Sequence, residues 1–382
     1  MKILFVSMPS IHATRWAEQL VGEGHELFWF DILNRGKADF HKEVVQFTGW
    51  RKNKVPLRGK STLKRLFPVL YAKLQSRIEV TIVQAFTGIM EEIQPDILHS
   101  FEMQNCTAPL LKVMLQYPSC YWLYSCWGSD LYHFRKEPKE EQLLRTVLER
   151  IDSIHTDCQR DFQIATSLGF SGKHFGIFPG GGGYSISKFA TEKKAVANRN
   201  TIVLKGYQHN FGKALIVIEA FKSMPISLAN YRLEVFSAHS EVVDSCRELD
   251  QVFSEVKVHN RLTKLTQKDM MTMMGRGLLY IGNSISDGMP NTLLEAMIMG
   301  AFPLQSNPGG VTEEVIEDGK NGLLIASPEN PAYIAERIEK ALNDPKMISE
   351  AFNRNAELSQ RWEFEKIKKD VLEAYNQIIL RK

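Results

Sequence analysis

Nothing in the chain approaches the roughly 20 consecutive apolar residues that a membrane-crossing helix needs, so no such helix is expected. Cysteine is scarce and unpatterned. The five residues, at 106, 120, 126, 158 and 246, are odd in number and contain no CxxC pair. That usage argues against a disulfide framework or a structural zinc site and fits a reducing cytoplasmic compartment. An excess of one charge is lacking too: a formal net charge of +3 over 382 residues is too small to indicate nucleic acid. The first strand is not followed by a GxGxxG fingerprint, since Met8-Pro-Ser-Ile-His-Ala13 stands there, and a dinucleotide cofactor is not expected. The opening Met1-Lys-Ile-Leu-Phe-Val-Ser7 lacks the apolar core and cleavage site of a secretory signal, which again points to the cytoplasm. No internal repeat or low-complexity tract interrupts the chain.

What is present is a regular alternation of short apolar runs with helical periodicity, at a length that suits two domains. Lys2–Ser7 reads as a strand, Arg15–Glu23 as a helix and Leu27–Phe30 as a second strand, a Rossmann-like opening. Further strands are expected over 95–99, 120–125 and 151–156, with helices over 109–116 and 158–168. Four glycines, 180–183, favour neither helix nor strand and mark a hinge or a close approach to a ligand. The polar run Ser185–Asn200 reads as a linker. The pattern restarts at Thr201–Lys205, followed by helix 214–222, strands 231–236 and 256–259, a methionine-rich helix 266–275, and helices over 331–342 and 350–380.

One stretch organises the rest. Leu278–Asn283 is an apolar run of the kind that forms a parallel strand covered on both faces, and Asn291–Met299 reads as a helix between Pro290 and Gly300. That helix is apolar on nearly every side except at Glu295, so a buried carboxylate is expected, and it needs donors. Asp287 stands before it with seven residues between them, on the loop at the strand's carboxyl end. The helix aims free N–H groups at this loop, which suits a phosphate. Two carboxylates beside an anion site suit a ligand with both hydroxyls and phosphates. The plain alternative is that Asp287 caps the helix and Glu295 meets a cation of the chain.

The run Asp287-Gly-Met-Pro-Asn-Thr-Leu-Leu-Glu295-Ala-Met, with Gly300-Ala-Phe-Pro-Leu, Pro308-Gly-Gly and Glu317-Asp-Gly-Lys-Asn-Gly-Leu-Leu324 after it, resembles the signature of retaining glycosyltransferases of family 4, of the GT-B fold. The resemblance implies two Rossmann-like domains with a cleft between them: residues 1–186 binding acceptor, residues 200–360 binding donor, and a C-terminal helix, 361–382, returning to the first domain. It implies transfer of a sugar from a nucleotide diphosphate with retention, by attack on the face the leaving group vacates, without metal or other cofactor. Asp287, at the place usually held by glutamate, would meet the transferred sugar, and Glu295 the ribose. Lys213 and Lys205, with Gly288, Met289, Pro290, Asn291 and Thr292, and Arg261 near the base would complete the donor site. Tyr207 takes the place of a family arginine. In Cys126-Trp-Gly-Ser-Asp-Leu131, Trp127 replaces a family histidine, Asp130 stands near the reaction centre, and Trp127, Ser129 and His12 would face the acceptor, a glycan or lipid-linked molecule of cell-surface synthesis.

Arg51, Lys52, Lys54, Arg58, Lys60, Lys64 and Arg65 lie within 51–65 with no acid among them, and the apolar Leu66–Tyr71 follows. Two readings stand: a solvated loop, or a patch for an anionic membrane surface, where each charge contributes on the order of 1 kcal/mol. Rival functions on the same fold are a nucleotide-sugar epimerase or phosphorylase and a non-catalytic partner in glycan assembly.

Overall fold

The structure, a computed structural model, describes residues 1–54, 60–263 and 265–379. The chain forms two compact units. The first comprises Met1–Asp157, Asp161–Gly182 and the chain from Asp370 onward; the second comprises Cys158–Arg160 and Gly183–Lys369.

The first unit is built on β1 (Lys2–Ser7), β2 (Glu26–Asp31), β3 (Val44–Phe47), β4 (Ile97–Phe101), β5 (Tyr121–Ser125), β6 (Ser153–Thr156) and β7 (Lys173–Ile177). Their order is β3-β2-β1-β4-β5-β6-β7, every pair parallel. Parallel strands need helical crossovers, which cover both faces; hence Ile3, Leu4, Phe5 and Val6 are all buried, without the alternation of a one-sided sheet. The second unit repeats the plan with β8 (Thr201–Lys205), β9 (Arg232–Ala238), β10 (Glu255–Asn260), β11 (Gly277–Gly282), β12 (Phe302–Ser306) and β13 (Leu323–Ile325), in the order β10-β9-β8-β11-β12-β13, again all parallel. Among the described residues no helix is long and apolar enough to cross a membrane.

Several sequence expectations shift. The first helix spans Ile11–Glu18, not 15–23, because Ser10 caps it by accepting from the Ala13 N–H, so His12 sits in a helical turn rather than a loop. The segment read as helix 109–116 is a π turn at Met103–Thr107, a 3-10 turn at Ala108–Leu110 and a short helix Leu111–Met114. The supposed linker 185–200 is folded into the second unit. Phe189 is buried there, and the Arg199 guanidinium donates to the carbonyls of Lys194, Gly277 and Met299. The unit border falls inside the glycine run, between Gly182 and Gly183, and the chain rejoins the first unit at Asp370, within the last helix, Phe364–Ile379, rather than at 361.

That last helix is tied to the first unit by a chain of buried hydrogen bonds whose direction is fixed at one end. His155 Nε2 lies 3.0 Å from the Phe178 carbonyl oxygen, which only accepts, so Nε2 carries the proton and Nδ1 accepts from the Ser125 hydroxyl at 2.7 Å. Ser125 then accepts from His99 Nε2 at 2.7 Å, and His99 Nδ1 accepts from the Tyr375 hydroxyl at 2.7 Å. Tyr375 in turn accepts from the Trp16 indole at 3.1 Å. Every donor and acceptor is used once, and both imidazoles stay neutral. Burial lowers both their pKa values, that of His155 to about 3.

Tyr375→Phe strands the Trp16 N–H and His99 Nδ1, and is expected to cost about 1–3 kcal/mol in denaturant titration. Because the native imidazoles take up protons only far below the ordinary value of 6.5 while the unfolded chain takes them up at it, their contribution is complete above pH 6.5 and declines as pH falls toward about 3. A His155→Gln variant should therefore show a shallower loss of stability over that window than the parent chain.

Candidate functional site

In the second sheet β8 lies between β9 and β11, so the connections leaving β8 and β11 diverge and open a crevice at their carboxyl ends, where ligands of open α/β sheets bind. The two loops concerned are fastened to each other. Lys213 N–H donates to the Asn283 carbonyl at 3.0 Å, the Asn283 side chain donates to the Lys213 carbonyl at 3.2 Å, and Ile285 N–H donates to the Phe211 carbonyl at 2.9 Å.

Lys205 ends β8, and its ammonium lies 3.3 Å from the Asp287 carboxylate. Burial alone would lower its pKa, but Asp287, then Tyr280 and Tyr207, reverse the sign and raise it. Asp287 is held from behind: the Arg160 guanidinium donates to its carbonyl at 2.7 Å and to that of Pro308 at 2.5 Å. The next element, Asn291–Met299, starts at Pro290 with no side-chain cap and no acid in its first turn, and ends at Gly300 with φ 75°, a left-handed turn that glycine takes without strain. Glu295 is buried in this helix, as the apolar surround of its sequence implies. Burial, with smaller contributions from the charges of Asp287 and then Glu295, pushes the Tyr280 phenol up to about 12. Tyr280 also meets the Thr292 hydroxyl at 2.8 Å. Gly288, Met289 and Pro290 are buried between these groups in sequence. Lys213 starts helix Ala214–Lys222, and its ammonium lies 3.8 Å from Glu329. Tyr207 carries two cations, with Lys205 Nζ 4.8 Å and the Arg261 guanidinium 5.4 Å from its ring centroid.

In the first sheet the order reverses between β1 and β4, and the residues proposed for the acceptor gather at those carboxyl ends. His12 and Trp127 bring their rings within 5.2 Å. Gly128, with φ 90°, turns the chain between Trp127 and the short helix Ser129–Tyr132. The Trp127 indole nitrogen is buried without a hydrogen-bond partner, an uncommon state for a native donor. Asp130 is buried, and its carboxylate accepts from the Tyr124 hydroxyl at 2.6 Å, the Cys126 thiol at 3.1 Å, Met103 N–H at 3.1 Å and Trp127 N–H at 3.1 Å. Four donors of its own chain thus converge on this carboxylate.

Sequence reasoning missed Arg160, Tyr280 and Glu102. Glu102 follows β4 with φ 63° and ψ 134°, a conformation that costs a non-glycine residue about 1–3 kcal/mol. Its carboxylate accepts from Gln104 and Asn105 N–H, and burial, then Asp130, raises its pKa to about 7. An acid directly after a strand at the reversal point was the available signal. Arg160 offered none, since its partners are backbone carbonyls far along the chain.

Residues 214–359 match the family model of glycosyl transferases group 1, and residues 2–158 that of glycosyl transferase 4-like proteins. The chain carries two glycosyltransferase domains. No curated protein matches it in sequence. Sucrose-phosphate synthase from Thermosynechococcus elongatus is similar in structure, with a TM-score of 0.72 at 14% identity over 100% of both chains. Anabaena Alr3699/HepE in complex with UDP and glucose gives 0.66 at 16%, over 99% of this chain and 100% of that one. A glycosyltransferase from Rickettsia africae ESF-5 gives 0.63 at 12%, over 99% and 98%. The fold of the glycosyltransferase domains is thus GT-B, with parallel sheets of seven and six strands and a helical C-terminus.

Asp130→Ala removes the acceptor for four donors, two of them from fully buried side chains. A loss of at least about 2 kcal/mol in unfolding free energy is expected by thermal or urea denaturation. An unchanged stability with lost activity would instead make Asp130 a group that acts on substrate.

Proposed function

We propose that this glycosyltransferase transfers a sugar from a nucleotide-diphosphate donor to a glycan or lipid-linked acceptor of cell-surface polysaccharide or glycoconjugate synthesis, with retention at the anomeric carbon. The observations that carry this reading are the Lys205–Asp287 pair at the carboxyl ends of β8 and β11 and the buried Glu295 in the helix that follows the Asp287 loop. A buried acid within an apolar helix suits bidentate recognition of ribose hydroxyls, and Asp287 on the loop before it suits the hydroxyls of the sugar. Lys213 and the N-terminal turn of the helix Asn291–Met299, whose N-cap Pro290 gives no side-chain cap, answer the diphosphate, which needs no metal in this scheme because fixed donors stabilise the departing charge. The bond from the anomeric carbon to the diphosphate oxygen breaks, the acceptor oxygen bonds on the same face, and the acceptor proton leaves with the diphosphate. His12, Trp127 and Ser129 belong to the acceptor side, with Asp130 holding their loop. Alr3699/HepE has been solved with UDP and with UDP-glucose, so a uridine nucleotide is the first donor to test.

The basic stretch belongs to the same reading as a contact with an anionic bilayer on the cytoplasmic side. Arg58 lies outside the described residues; Arg51, Lys52, Lys54, Lys64 and Arg65 are exposed. Helix Pro68–Ile78 turns Tyr71 inward, where its hydroxyl donates to Glu79 at 2.7 Å, and leaves Val69 and Leu70 exposed at 71% and 49%, as are Leu66 and Phe67 just before it at 58% and 57%. Four large apolar side chains in water beside five cations suit insertion at a headgroup layer.

Glu295→Ala should weaken UDP binding in calorimetry by about 10- to 100-fold and abolish transfer from UDP-sugars, with EDTA leaving the parent activity unchanged. Binding of nucleotide unaffected by this variant would sink the donor assignment. Vesicles rich in phosphatidylglycerol should sediment the chain and phosphatidylcholine vesicles should not; Phe67→Asp with Leu70→Asp should abolish that difference.

A further inference from the structure

We propose that Arg261 is the second cation of the donor-phosphate site, a guanidinium carried on the Tyr207 ring that takes a phosphate oxygen where residue 207 itself offers none. The inference rests on the nucleotide-sugar reading above and concerns how the diphosphate charge is answered.

Lys205 is already committed. Its ammonium faces Asp287 at 3.3 Å, and the pair brings little net charge to the crevice. Lys213 faces Glu329 at 3.8 Å across an exposed contact, which leaves it able to turn to a ligand but supplies one charge only. A leaving diphosphate carries more than one negative charge. Arg261 directly follows β10, and its N–H is anchored to the Ala238 carbonyl at the end of β9 at 2.8 Å. From there its side chain reaches the loop after β8, where Tyr207 holds it at 5.4 Å and Lys205 at 4.8 Å from one ring centroid. The ring gathers two cations without neutralising either, as a quadrupole does and a carboxylate would not.

The polar contact of the guanidinium is mispaired. Arg261 Nη1 lies 2.8 Å from His239 Nε2, while His239 Nδ1 already accepts from the Gln208 N–H at 3.1 Å. A neutral imidazole has one acceptor nitrogen and an imidazolium none, so His239 cannot accept from both. A guanidinium proton is therefore left facing a second donor, at a place where no carboxylate of the described residues meets it. His209 beside them has its pKa lowered by burial and then by the charges of His239, Arg261 and Lys205, which marks the same pocket as electropositive. An anionic oxygen brought between Tyr207 and His239 resolves the mismatch, and the planar fork of arginine suits phosphate better than an ammonium would.

The test is calorimetric binding of UDP, UMP and uridine, extended to GDP, ADP, CDP and dTDP, to the full chain and to Arg261→Ala, Arg261→Lys and Tyr207→Leu. Arg261 is exposed, so its variants should keep the parent thermal midpoint. Arg261→Ala is expected to weaken the diphosphate by about 10- to 100-fold, the monophosphate less and the nucleoside not at all, with Arg261→Lys recovering part of the loss. Tyr207→Leu should reproduce the diphosphate-selective loss with Arg261 intact. Equal loss for nucleoside and diphosphate would overturn the proposal and make Arg261 a base or ribose contact, while the donor reading stood. Undiminished diphosphate binding in Arg261→Ala would overturn it as well. Failure of the parent chain to bind any nucleoside diphosphate would overturn the donor reading and this proposal together.

Discussion

Every strand of both sheets runs parallel to its neighbours, and that constraint decides where chemistry can sit. Parallel strands are joined by crossovers, so all strands end at one edge and the following helices present their N-termini there. Where the strand order reverses, at β1 and β4 in one unit and at β8 and β11 in the other, neighbouring connections part and leave room for a ligand. The charged and strained residues of each unit collect at these reversals: Glu102, Trp127 and Asp130 in the first, Lys205, Asp287 and Glu295 in the second.

Each unit has buried polar groups that are paired and others that are not. In the first unit one network is closed internally, while the Trp127 indole nitrogen is buried without a hydrogen bond. The chain from Trp16 through Tyr375, His99, Ser125 and His155 to the Phe178 carbonyl uses every donor once, and Asp130 is filled by donors from the residues around it. Such closure rigidifies, because each group left alone would face its full desolvation cost. In the second unit the accounts are left open. Asn283 Oδ1 is buried without a hydrogen bond, the Arg261 guanidinium meets a nitrogen that is already spoken for, and the helix at Asn291 has no side-chain cap. Of these groups the Asn283 oxygen needs a donor and the guanidinium an acceptor.

Asp130 and Glu295 are two buried acids in different surroundings. Asp130 is answered by a hydroxyl, a thiol and two backbone N–H groups close in the fold. Glu295 sits in a helix whose neighbours Leu293, Leu294, Ala296, Met297 and Ile298 are all buried and apolar. The Lys205–Asp287 pair is closed within the chain and about a third exposed on the acid's side.

Much of this was legible in the sequence, for a reason that can be named. A strand covered on both faces must be continuously apolar, so Lys2–Ser7, Thr201–Lys205 and the run through Tyr280 stand out, and an acid in an apolar helix stands out against them. Helices 214–222 and 331–342 were legible from periodicity to their ends. The misreadings at 11–18, 103–114 and 185–200 came from contacts that periodicity does not carry: a cap at Ser10, a strained turn after Phe101, and Arg199 reaching carbonyls of distant residues. By itself the sequence determined the alternating α/β plan, the burial of Glu295 and the loop that bears Asp287, because these depend on local pattern and composition. Only the tertiary structure decided that Lys205 pairs with Asp287, that Tyr207 gathers Arg261, that Arg160 holds the 287 loop, and that Asp130 accepts from Tyr124, Cys126, Met103 and Trp127. Those outcomes turn on which distant side chains a shared sheet edge brings within hydrogen-bond reach, and spacing along the chain holds no record of that distance.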